Sequence, residues 1–472
     1  MYRSASLFAL LLFVLPLPAA PGDRSRLADV LALEETMQEA IRKAEPSIAC
    51  ILLTRSDEPE RIDLANPETV PESFGSGVVL DEKGLILTNR HVVTGATKIF
   101  VRLPGGKASL AEIHADDPRS DLAVLRLTDP KVLPTPAIKL GAGGAVRKGQ
   151  FVLALANPFA AGFRDGSPSA SWGIISNVRR RVPGNTRDED REKTLHHYGI
   201  LLQTDARLNL GCSGGALIDL KGELVGLTTS TAAIAGGETP GGFAVPIDAG
   251  MRRIIEKLLQ GEEVEYGFLG VVFDYSVPAE KGGGVRIKNV LPGGPAAQAR
   301  VRDGDVVVRV NGTELRDMDD LFLAIGTQLA GNTIVLDVRR PSGAMERLSV
   351  TLAKYYVPES LGKPVVTRKP PAPAGLRVDY TSILAQQRRA IDAWGRAVPA
   401  GVMIREIQAN SAAEEARLQA GKVITQVAGK DVTTPKEFYE AMEAALRGGR
   451  RSVELTLLTA DGRPDKVKIE LR

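Results

Sequence analysis

Three short segments of the chain contain residue types that could together break a peptide bond. They are Thr88-Asn89-Arg90-His91-Val92-Val93, Ser120-Asp121-Leu122-Ala123-Val124-Leu125 and Gly211-Cys212-Ser213-Gly214-Gly215-Ala216-Leu217. A serine hydroxyl is a weak nucleophile at neutral pH and needs an imidazole to accept its proton. A carboxylate then orients that imidazole and stabilises its charged form. We therefore interpret His91, Asp121 and Ser213 as a catalytic triad.

The glycines around Ser213 predict a tight turn with room for a peptide carbonyl. Such a turn lets the N–H groups of Gly211 and Ser213 converge on the oxyanion that forms during the reaction, and one donor of this kind typically contributes about 10²–10³ in rate. Cys212 lies between the two donors. We interpret it as a small packed side chain; a redox-sensitive switch is the alternative, and a nucleophilic role is disfavoured.

Each segment also has a purely structural interpretation. A single histidine after a strand is more often structural than catalytic, an aspartate before an apolar run is usually a turn residue, and a glycine-rich segment can be an ordinary loop. The joint occurrence in the order His, Asp, Ser favours catalysis. The other histidines, His114, His196 and His197, are predicted to lie in polar loops, and their spacing from carboxylates gives no recognisable metal site. No metal or cofactor is expected.

Length and composition limit the remaining possibilities. A chain of 472 residues suggests about three domains, and a net charge of +3 gives no indication of nucleic-acid binding. Residues 1–20 contain a basic residue, Arg3, followed by the apolar stretch 7–17, which predicts a signal peptide. A retained N-terminal anchor is the alternative, and only then would the protein contact a membrane. Cys50 and Cys212 are expected to be buried thiols, although a disulfide between them is possible.

The elements around the triad are predicted to be mostly short strands. β-Branched runs separated by Gly, Pro and Asp favour a β-barrel or sandwich. The predicted strands cover 48–53, 77–80, 85–88, 98–103, 123–127, 151–155 and 224–227. Apolar residues at helical spacing predict a helix over 27–44 and another from 246 to about 259, which Gly261 would end.

The C-terminal part of the chain contains an ungapped internal repeat. Gly284-Val285-Arg286-Ile287 recurs 117 residues later as Gly401-Val402-Met403-Ile404, and Gly304-Asp305-Val306-Val307 recurs at the same offset as Gly421-Lys422-Val423-Ile424. Two copies of one domain explain this pattern. The Pro-rich stretch between them, 357–373, is predicted to be an extended and fairly stiff connector.

Together with further motifs, these segments resemble the HtrA/DegP serine proteases. The further motifs are Asn157-Pro158-Phe159, Gln203-Thr204-Asp205-Ala206 and Gly242-Phe243-Ala244-Val245-Pro246. The resemblance implies a mainly β chain: a chymotrypsin-like double β-barrel protease domain at 27–260, a PDZ (α+β) domain at 262–354, a linker at 355–374 and a second PDZ domain at 375–472. It also implies ATP-independent degradation of unfolded proteins in the periplasm or cell envelope by a homo-oligomer built from trimers.

The resemblance places the primary specificity pocket at Leu208, Ser230 and Thr231. None of these side chains is acidic, so we expect cleavage after small or medium aliphatic residues such as Val, Ala or Leu. The sequence also departs from the family pattern near the oxyanion turn. Cys212 replaces an Asn, Ala156 replaces a Gly, Trp172 stands where a small hydroxyl residue is common, and the segment 160–199 is longer than usual. These departures leave the triad intact and the mode of activation open.

In the first repeat, Tyr266-Gly267-Phe268-Leu269-Gly270-Val271 resembles the PDZ loop that holds the C-terminal carboxylate of a peptide. The peptide would add as a strand beside 271–273 and face a helix that contains Leu321, Phe322 and Ile325. A core role is the alternative for these apolar residues.

The second repeat matches the PDZ pattern less well. Its loop is expected near Gly375-Leu376-Arg377-Val378, without the second glycine, so docking or assembly is an equal alternative to peptide capture there. Arg300 and Arg417 stand where the family usually has a glycine in a left-handed helix cap, and we expect that turn to be modified.

The leading hypothesis is therefore an exported endopeptidase of protein quality control, whose partners are unfolded proteins and peptides. Two alternatives remain: a non-proteolytic chaperone or scaffold, and a site-specific regulatory protease that cleaves one stress-signalling substrate.

Overall fold

The computed structural model describes residues 23–55, 66, 71–141, 146–180, 194–229, 241–274, 283–387, 397–459 and 463–470. The predicted signal segment, 1–20, lies outside these residues. Helix α1 (Asp23–Ala44) confirms the helix expected from the apolar spacing, and its buried Ala40 and Ala44 pack against the protein core. Within the described ranges, none of the helices combines the length and the apolar character that a membrane crossing requires.

A first closed β-barrel follows α1. Alternate residues of its first strand, such as Ala49, Ile51 and Leu53, fill the interior, as the two-residue period of a strand requires. The strands close in the order β1-β2-β3-β6-β5-β4. Their bounds are β1 (Ile48–Arg55), β2 (Ser73–Val79), β3 (Leu85–Asn89), β4 (Ala96–Leu103), β5 (Lys107–Asp117) and β6 (Leu122–Leu127), and the one-turn helix α2 (Arg90–Val93) lies between β3 and β4.

A second closed barrel packs against the first. Its strands close in the order β10-β11-β12-β9-β8-β7. Their bounds are β7 (Phe151–Ala156), β8 (Ser169–Arg180), β9 (Leu201–Thr204), β10 (Ala216–Ile218), β11 (Leu224–Thr229) and β12 (Gly242–Pro246). One apolar cluster contains Leu87 and Leu122 of the first barrel together with Leu153 and Leu227 of the second. The loops that carry the candidate site therefore project from two barrels that share one core.

Helix α3 (Ala249–Leu259) ends this part of the chain as the sequence predicts. The carboxylate of Asp248 caps it by accepting from the Met251 N–H at 2.9 Å. Gly261 follows the helix with a φ of 74°, a left-handed conformation that glycine adopts easily.

Two modules with the same topology form the rest of the chain. The first has the strand path β14-β15-β16-β18-β19 with β17 paired to β16, and the second has the path β21-β22-β23-β25-β26 with β24 paired to β23. The elements of the first module are β13 (Gly267–Phe268), β14 (Val271–Phe273), β15 (Val285–Val290), α4 (Pro295–Gln298), β16 (Val306–Val310), β17 (Thr313–Glu314), α5 (Met318–Gly326), β18 (Thr333–Arg339), β19 (Met345–Thr351) and β20 (Ala353–Lys354). Those of the second are β21 (Leu376–Tyr380), β22 (Val402–Ile407), α6 (Ala412–Glu415), β23 (Val423–Val427), β24 (Lys430–Asp431), α7 (Pro435–Arg447), β25 (Ser452–Leu458) and β26 (Pro464–Glu470).

Backbone angles show that the internal repeat is a structural repeat. Asn311 and Ala428, which are 117 positions apart, have φ values of 50° and 51° in equivalent turns. Arg300 and Arg417 also match, with φ values of 64° and 56°. The expectation of a modified turn at these two arginines is therefore wrong. The chain keeps the left-handed cap and accepts the strain of a side chain there.

The Pro-rich connector is bound along the first barrel. The Asp116 N–H donates to the Val365 carbonyl at 2.9 Å, and the Val365 N–H donates to Asp116 Oδ1 at 2.7 Å. Ala115 and Val366 form an antiparallel bridge beside them. The connector thus pairs with the end of strand β5 rather than spanning open solvent.

A buried lysine joins the segment after α3, the first module and the second module. Lys354 Nζ lies 2.8 Å from Glu263 Oε1, 2.9 Å from Glu265 Oε1 and 2.8 Å from Asp379 Oδ2. These three carboxylates raise the pKa of Lys354 above its usual range although burial opposes that shift. A charge buried in this way is tolerated only because its partners surround it.

Candidate active site

The three triad candidates meet between the barrels. His91 lies in α2 directly after β3, Asp121 ends the turn before β6, and Ser213 lies in the loop before β10. His91 Nδ1 is 2.6 Å from Asp121 Oδ2, and His91 Nε2 is 3.1 Å from Ser213 Oγ. The imidazole therefore bridges the carboxylate and the hydroxyl, which is the geometry that activates a serine.

Asp121 is held in an unusual backbone conformation. Its φ of 57° lies in the left-handed region, which costs a residue with a side chain about 1 kcal/mol or more. Two hydrogen bonds hold it there: the Arg90 N–H donates to its carbonyl at 2.8 Å, and the His91 N–H donates to its Oδ1 at 2.9 Å. Its second oxygen thereby faces the imidazole of His91.

The peptide planes around Ser213 are fixed through their carbonyl groups. The Leu210 carbonyl accepts from the Phe159 N–H at 2.8 Å, and the Cys212 carbonyl accepts from Thr228 Oγ1 at 2.5 Å. Because N–H and C=O point in opposite directions across a trans peptide, these bonds set the directions of the Gly211 and Ser213 N–H groups. The two proposed oxyanion donors are thus held by the backbone rather than by side chains of their own.

Glycine is required within this turn. Gly211 has a φ of 91°, and a Cβ there would lie 2.6 Å from the Asn157 carbonyl oxygen. Asn157 in turn donates its N–H to Ser76 Oγ at 2.8 Å, and Ser76 Oγ donates to the Gly211 carbonyl at 2.7 Å. Ala156 ends β7 as a buried residue next to this network.

Cys212 packs inside the turn as a thiol. Its Sγ accepts from the Asn209 N–H at 3.3 Å. Burial raises the pKa of the Cys212 thiol, so at neutral pH it is protonated and weakly nucleophilic. Cys50 is also a buried free thiol, and burial raises its pKa to about 12.

Of the predicted pocket residues, the structure describes Leu208. It is half-buried, and Gly242 packs so closely against it that a Cβ at 242 would lie 2.3 Å from Leu208 Cδ1. Ser230 and Thr231 lie outside the described residues. Trp172 is exposed on β8, with its ring 6.2 Å from that of Phe151.

The predicted peptide-binding residues of the first module take two different positions. Gly267 and Phe268 form β13, Leu269 and Gly270 form the turn that follows, and Val271 begins β14 at one end of the sheet. Gly270 has a φ of 79°, so the turn depends on glycine. Leu321 has no exposed surface and belongs to the core, and Ile325 is nearly as buried. The neighbouring Phe322 is half-buried and stacks on Tyr198 of the protease part, with ring centroids 4.8 Å apart.

The loop of the second module is displaced from its predicted position. Strand β21 begins at Leu376, which pairs with Ile407 as Val271 pairs with Val290 in the first module. The residues equivalent to 266–270 are therefore 371–375, and Gly375 is the last residue of the loop rather than the first. The expectation of a loop over 375–378 is wrong, because residues 376–378 already belong to strand β21.

Sequence reasoning placed two histidines incorrectly and missed one carboxylate. His114 is buried in β5, and His196 is buried in a short helical turn (Leu195–Tyr198), where burial lowers its pKa. His196 is hydrogen-bonded to the backbone of Ser120, directly beside Asp121. The missed carboxylate is Asp117, whose Oδ2 accepts from the Ser120 N–H at 2.7 Å and from Ser120 Oγ at 2.5 Å. The Asp-x-x-Ser spacing was the available signal for this local cap.

Comparison with known proteins agrees with this architecture. Residues 75–227 match the trypsin-like peptidase domain family, and residues 267–352 match the PDZ domain family. A probable periplasmic serine endoprotease, DegP-like, from Pseudomonas fluorescens is 34% identical over 400 residues, which cover 82% of this chain and 77% of the relative. A protein of the same description from Brucella suis is 30% identical over 403 residues, covering 83% and 72%. The solved structure of the HtrA-type protease AlgW with a tripeptide superposes with a TM-score of 0.50 at 28% identity, covering 68% of this chain and 98% of that one.

The two barrels, the loops between them and the matched peptidase family define a trypsin-like serine protease with PDZ domains after it. The identity over most of the chain is specific enough to go one step further. The chain belongs to the HtrA/DegP family of serine proteases.

Proposed function

We propose that this protease is an ATP-independent endopeptidase of the cell envelope that degrades unfolded proteins with His91, Asp121 and Ser213 as its triad. The observation that carries the proposal is the position of the His91 ring, 2.6 Å from the Asp121 carboxylate and 3.1 Å from the Ser213 hydroxyl. The periplasmic descriptions of the relatives from Pseudomonas fluorescens and Brucella suis support the location.

The reaction is an acyl transfer in two stages. Ser213 Oγ attacks the scissile carbonyl while His91 Nε2 takes its proton, and the same imidazole returns that proton to the leaving amine. Asp121 fixes the ring orientation through Nδ1 and stabilises the imidazolium. The N–H groups of Gly211 and Ser213 bind the oxyanion. Water then hydrolyses the acyl-enzyme with His91 as the base again.

Replacing Ser213 tests this mechanism. In Ser213→Ala, digestion of an unfolded model protein and labelling by a serine-directed fluorophosphonate should both disappear, because loss of a triad nucleophile lowers the rate by about 10⁶. Ser342→Ala is the matched control, since Ser342 lies exposed in a turn of the first PDZ module. If the wild-type chain is not labelled under any activating condition, the scaffold alternative replaces the protease.

The specificity pocket is proposed at Leu208, Ser230 and Thr231, with cleavage after Val, Ala or Leu. The half-buried apolar side chain of Leu208 supports an aliphatic subsite. Mass-spectrometric mapping of the same digests checks this, and a majority of cuts after Lys, Arg or aromatic residues would refute it.

The first PDZ domain is proposed to bind the C-terminus of a peptide through the turn at 268–271, and the active form is proposed to be a homo-oligomer built from trimers. The terminal position of β14 supports the first point, because an edge strand can accept a peptide as an additional strand. Light scattering of the full-length chain tests the second.

A further inference from the structure

Asp117 connects the first PDZ domain to the loop that carries the triad carboxylate. Its side chain is fully enclosed, and besides the two bonds from Ser120 its Oδ2 accepts a hydrogen bond from the Tyr266 hydroxyl. Tyr266 has no exposed surface and directly precedes the proposed peptide-binding turn. A residue of the PDZ domain therefore supplies one of three donors to a buried carboxylate of the protease.

This carboxylate organises the turn before Asp121. Ser120 is bonded to Asp117 through both its N–H and its hydroxyl, and the next residue is Asp121 in the left-handed conformation. A strained backbone of this kind persists only where its surroundings fix it. Loosening the Asp117–Ser120 contact would let Asp121 relax and would turn its carboxylate away from His91.

A second contact fixes the same loop without a hydrogen bond to Asp117. The guanidinium of Arg119 lies between two rings, 4.4 Å from the centroid of Tyr266 and 4.3 Å from that of Tyr355. Both tyrosines thus pack on the loop through their rings. Of these two tyrosines, Tyr266 is the one whose hydroxyl donates to Asp117.

Charged and titratable groups surround the loop that carries Asp117 and Asp121. Arg119 and Tyr266 face Asp117. Burial raises the pKa of Asp117, and the hydrogen bonds from Ser120 and Tyr266 and the positive charge of Arg119 oppose that rise. Asp121 has His91 and the buried His196 as neighbours, and His197 lies next to His196. A change at Tyr266 therefore reaches Asp121 through Asp117 and Ser120.

We propose that Tyr266 is a positioning residue for catalysis. Its hydroxyl holds Asp117, Asp117 holds Ser120, and Ser120 fixes the backbone that presents the Asp121 carboxylate to His91. The proposal rests on the triad assigned above. It gives Tyr266, at the base of the proposed PDZ peptide-binding turn, a role in positioning the Asp121 carboxylate of the triad.

The pair Tyr266→Phe and Tyr355→Phe tests the proposal in the full-length protein. Both variants keep the ring over Arg119, and only the first removes the donor to Asp117. For a short peptide substrate we expect Tyr266→Phe to lower kcat about tenfold with KM unchanged, because the lost contact acts on the transition state. The acid limb of its pH profile of kcat/KM should move to lower pH, because the imidazolium of His91 is then less stabilised. Tyr355→Phe should match the wild type in both measurements.

Two results would overturn the proposal while the wild type remains active and labelled at Ser213. One is an unchanged kcat and pH profile in Tyr266→Phe, and the other is an equal loss in both variants.

If Tyr266→Phe does not fold, Ser120→Ala replaces it, since it removes one bond to Asp117 and leaves Tyr266 in place. A smaller fall of kcat in the same direction supports the proposal, and an unchanged kcat rejects it. An inactive, unlabelled wild type would instead reject the proposed function itself.

Discussion

The two PDZ modules have the same sheet and the same left-handed turns but differ in the loop and in the strand edge where a peptide is proposed to bind. In both, the residue before the outer strand of the sheet, β14 or β21, is a glycine in a left-handed conformation: Gly270 with a φ of 79° and Gly375 with a φ of 85°. Their carbonyls accept from Leu291 and Gln408, which are equivalent positions. The scaffold of the repeat is therefore retained up to the edge of the loop.

The loops themselves diverge. In the second module the Gly375 N–H donates to the Ala372 carbonyl at 2.9 Å within its own turn, and Ala374 has a φ of 54°. A donor bonded inside the loop is not available to a carboxylate. The corresponding turn of the first module contains no proline, whereas the second has prolines at 371 and 373, which cannot donate.

The modules also differ in the groove between the outer strand and the long helix, which is β14 and α5 in the first module and β21 and α7 in the second. In the second module the hydroxyl of Tyr439, on helix α7, accepts from the Val378 N–H of β21 at 3.2 Å. Phe322 occupies the equivalent position in the first module and has no hydroxyl; its ring stacks on Tyr198 and meets Phe273 edge-on, with centroids 5.3 Å apart. The second module thus pairs an N–H group of its own outer strand with Tyr439, whereas Phe322 of the first module contacts Tyr198 of the protease part. A repeated fold thus carries two different edges, one proposed to capture a peptide in the first copy and one closed internally in the second.

The largest effect should follow from opening the closed groove. In Tyr439→Phe the Val378 N–H, on a buried residue, loses its acceptor, and an unpaired buried donor costs about 1–3 kcal/mol. Hydrogen exchange of the Val378 amide in the full-length chain should accelerate accordingly. The Phe273 amide is the internal control and should not change. Equal exchange of Val378 in both proteins would show that the hydroxyl contact does not close the groove.

A somewhat smaller effect is expected from the loop glycine of the first module. In Gly270→Ala the left-handed conformation becomes strained by about 1–2 kcal/mol, so a peptide with a free aliphatic C-terminus should bind about tenfold more weakly. Calorimetry of the wild type should give one such peptide per chain, and the C-terminally amidated peptide should not bind. Gly375→Ala should leave the affinity unchanged. A stoichiometry of two, or equal losses in both variants, would remove the proposed division of roles.

The sequence predicted the elements whose signals are local. The strands, α1, α3 and the repeat follow from period, turn residues and offset, and the structure confirms them. The displaced loop of the second module could not be predicted from the repeat. The offset of 117 residues holds from β15 onward, but strands β14 and β21 are offset by 105 residues, from Val271 to Leu376.

Within the candidate site, the three triad candidates could be named from sequence, but the residues that support them could not. Asp117 and Tyr266 are 149 positions apart, so their contact depends on how a PDZ module packs against a barrel. The left-handed backbone of Asp121 has the same origin, since tertiary hydrogen bonds from Arg90 and His91 impose it. His114 and His196 are polar in sequence yet buried, because neighbouring segments cover them.

The smallest expected effect concerns the strain that both modules share. Arg300 and Arg417 are exposed residues in the left-handed region. Replacing either with glycine removes a strain of about 1–2 kcal/mol, and part of the gain is lost because glycine makes the unfolded chain more flexible. Each module should therefore become more stable by about 0.5–1 kcal/mol, measured by hydrogen exchange on the full-length protein. Arg300→Ala and Arg417→Ala retain the Cβ and should give almost no gain. Because the two turns are alike, unequal gains from the two glycine variants would mean that the modules differ in their scaffold and not only in their loops and grooves.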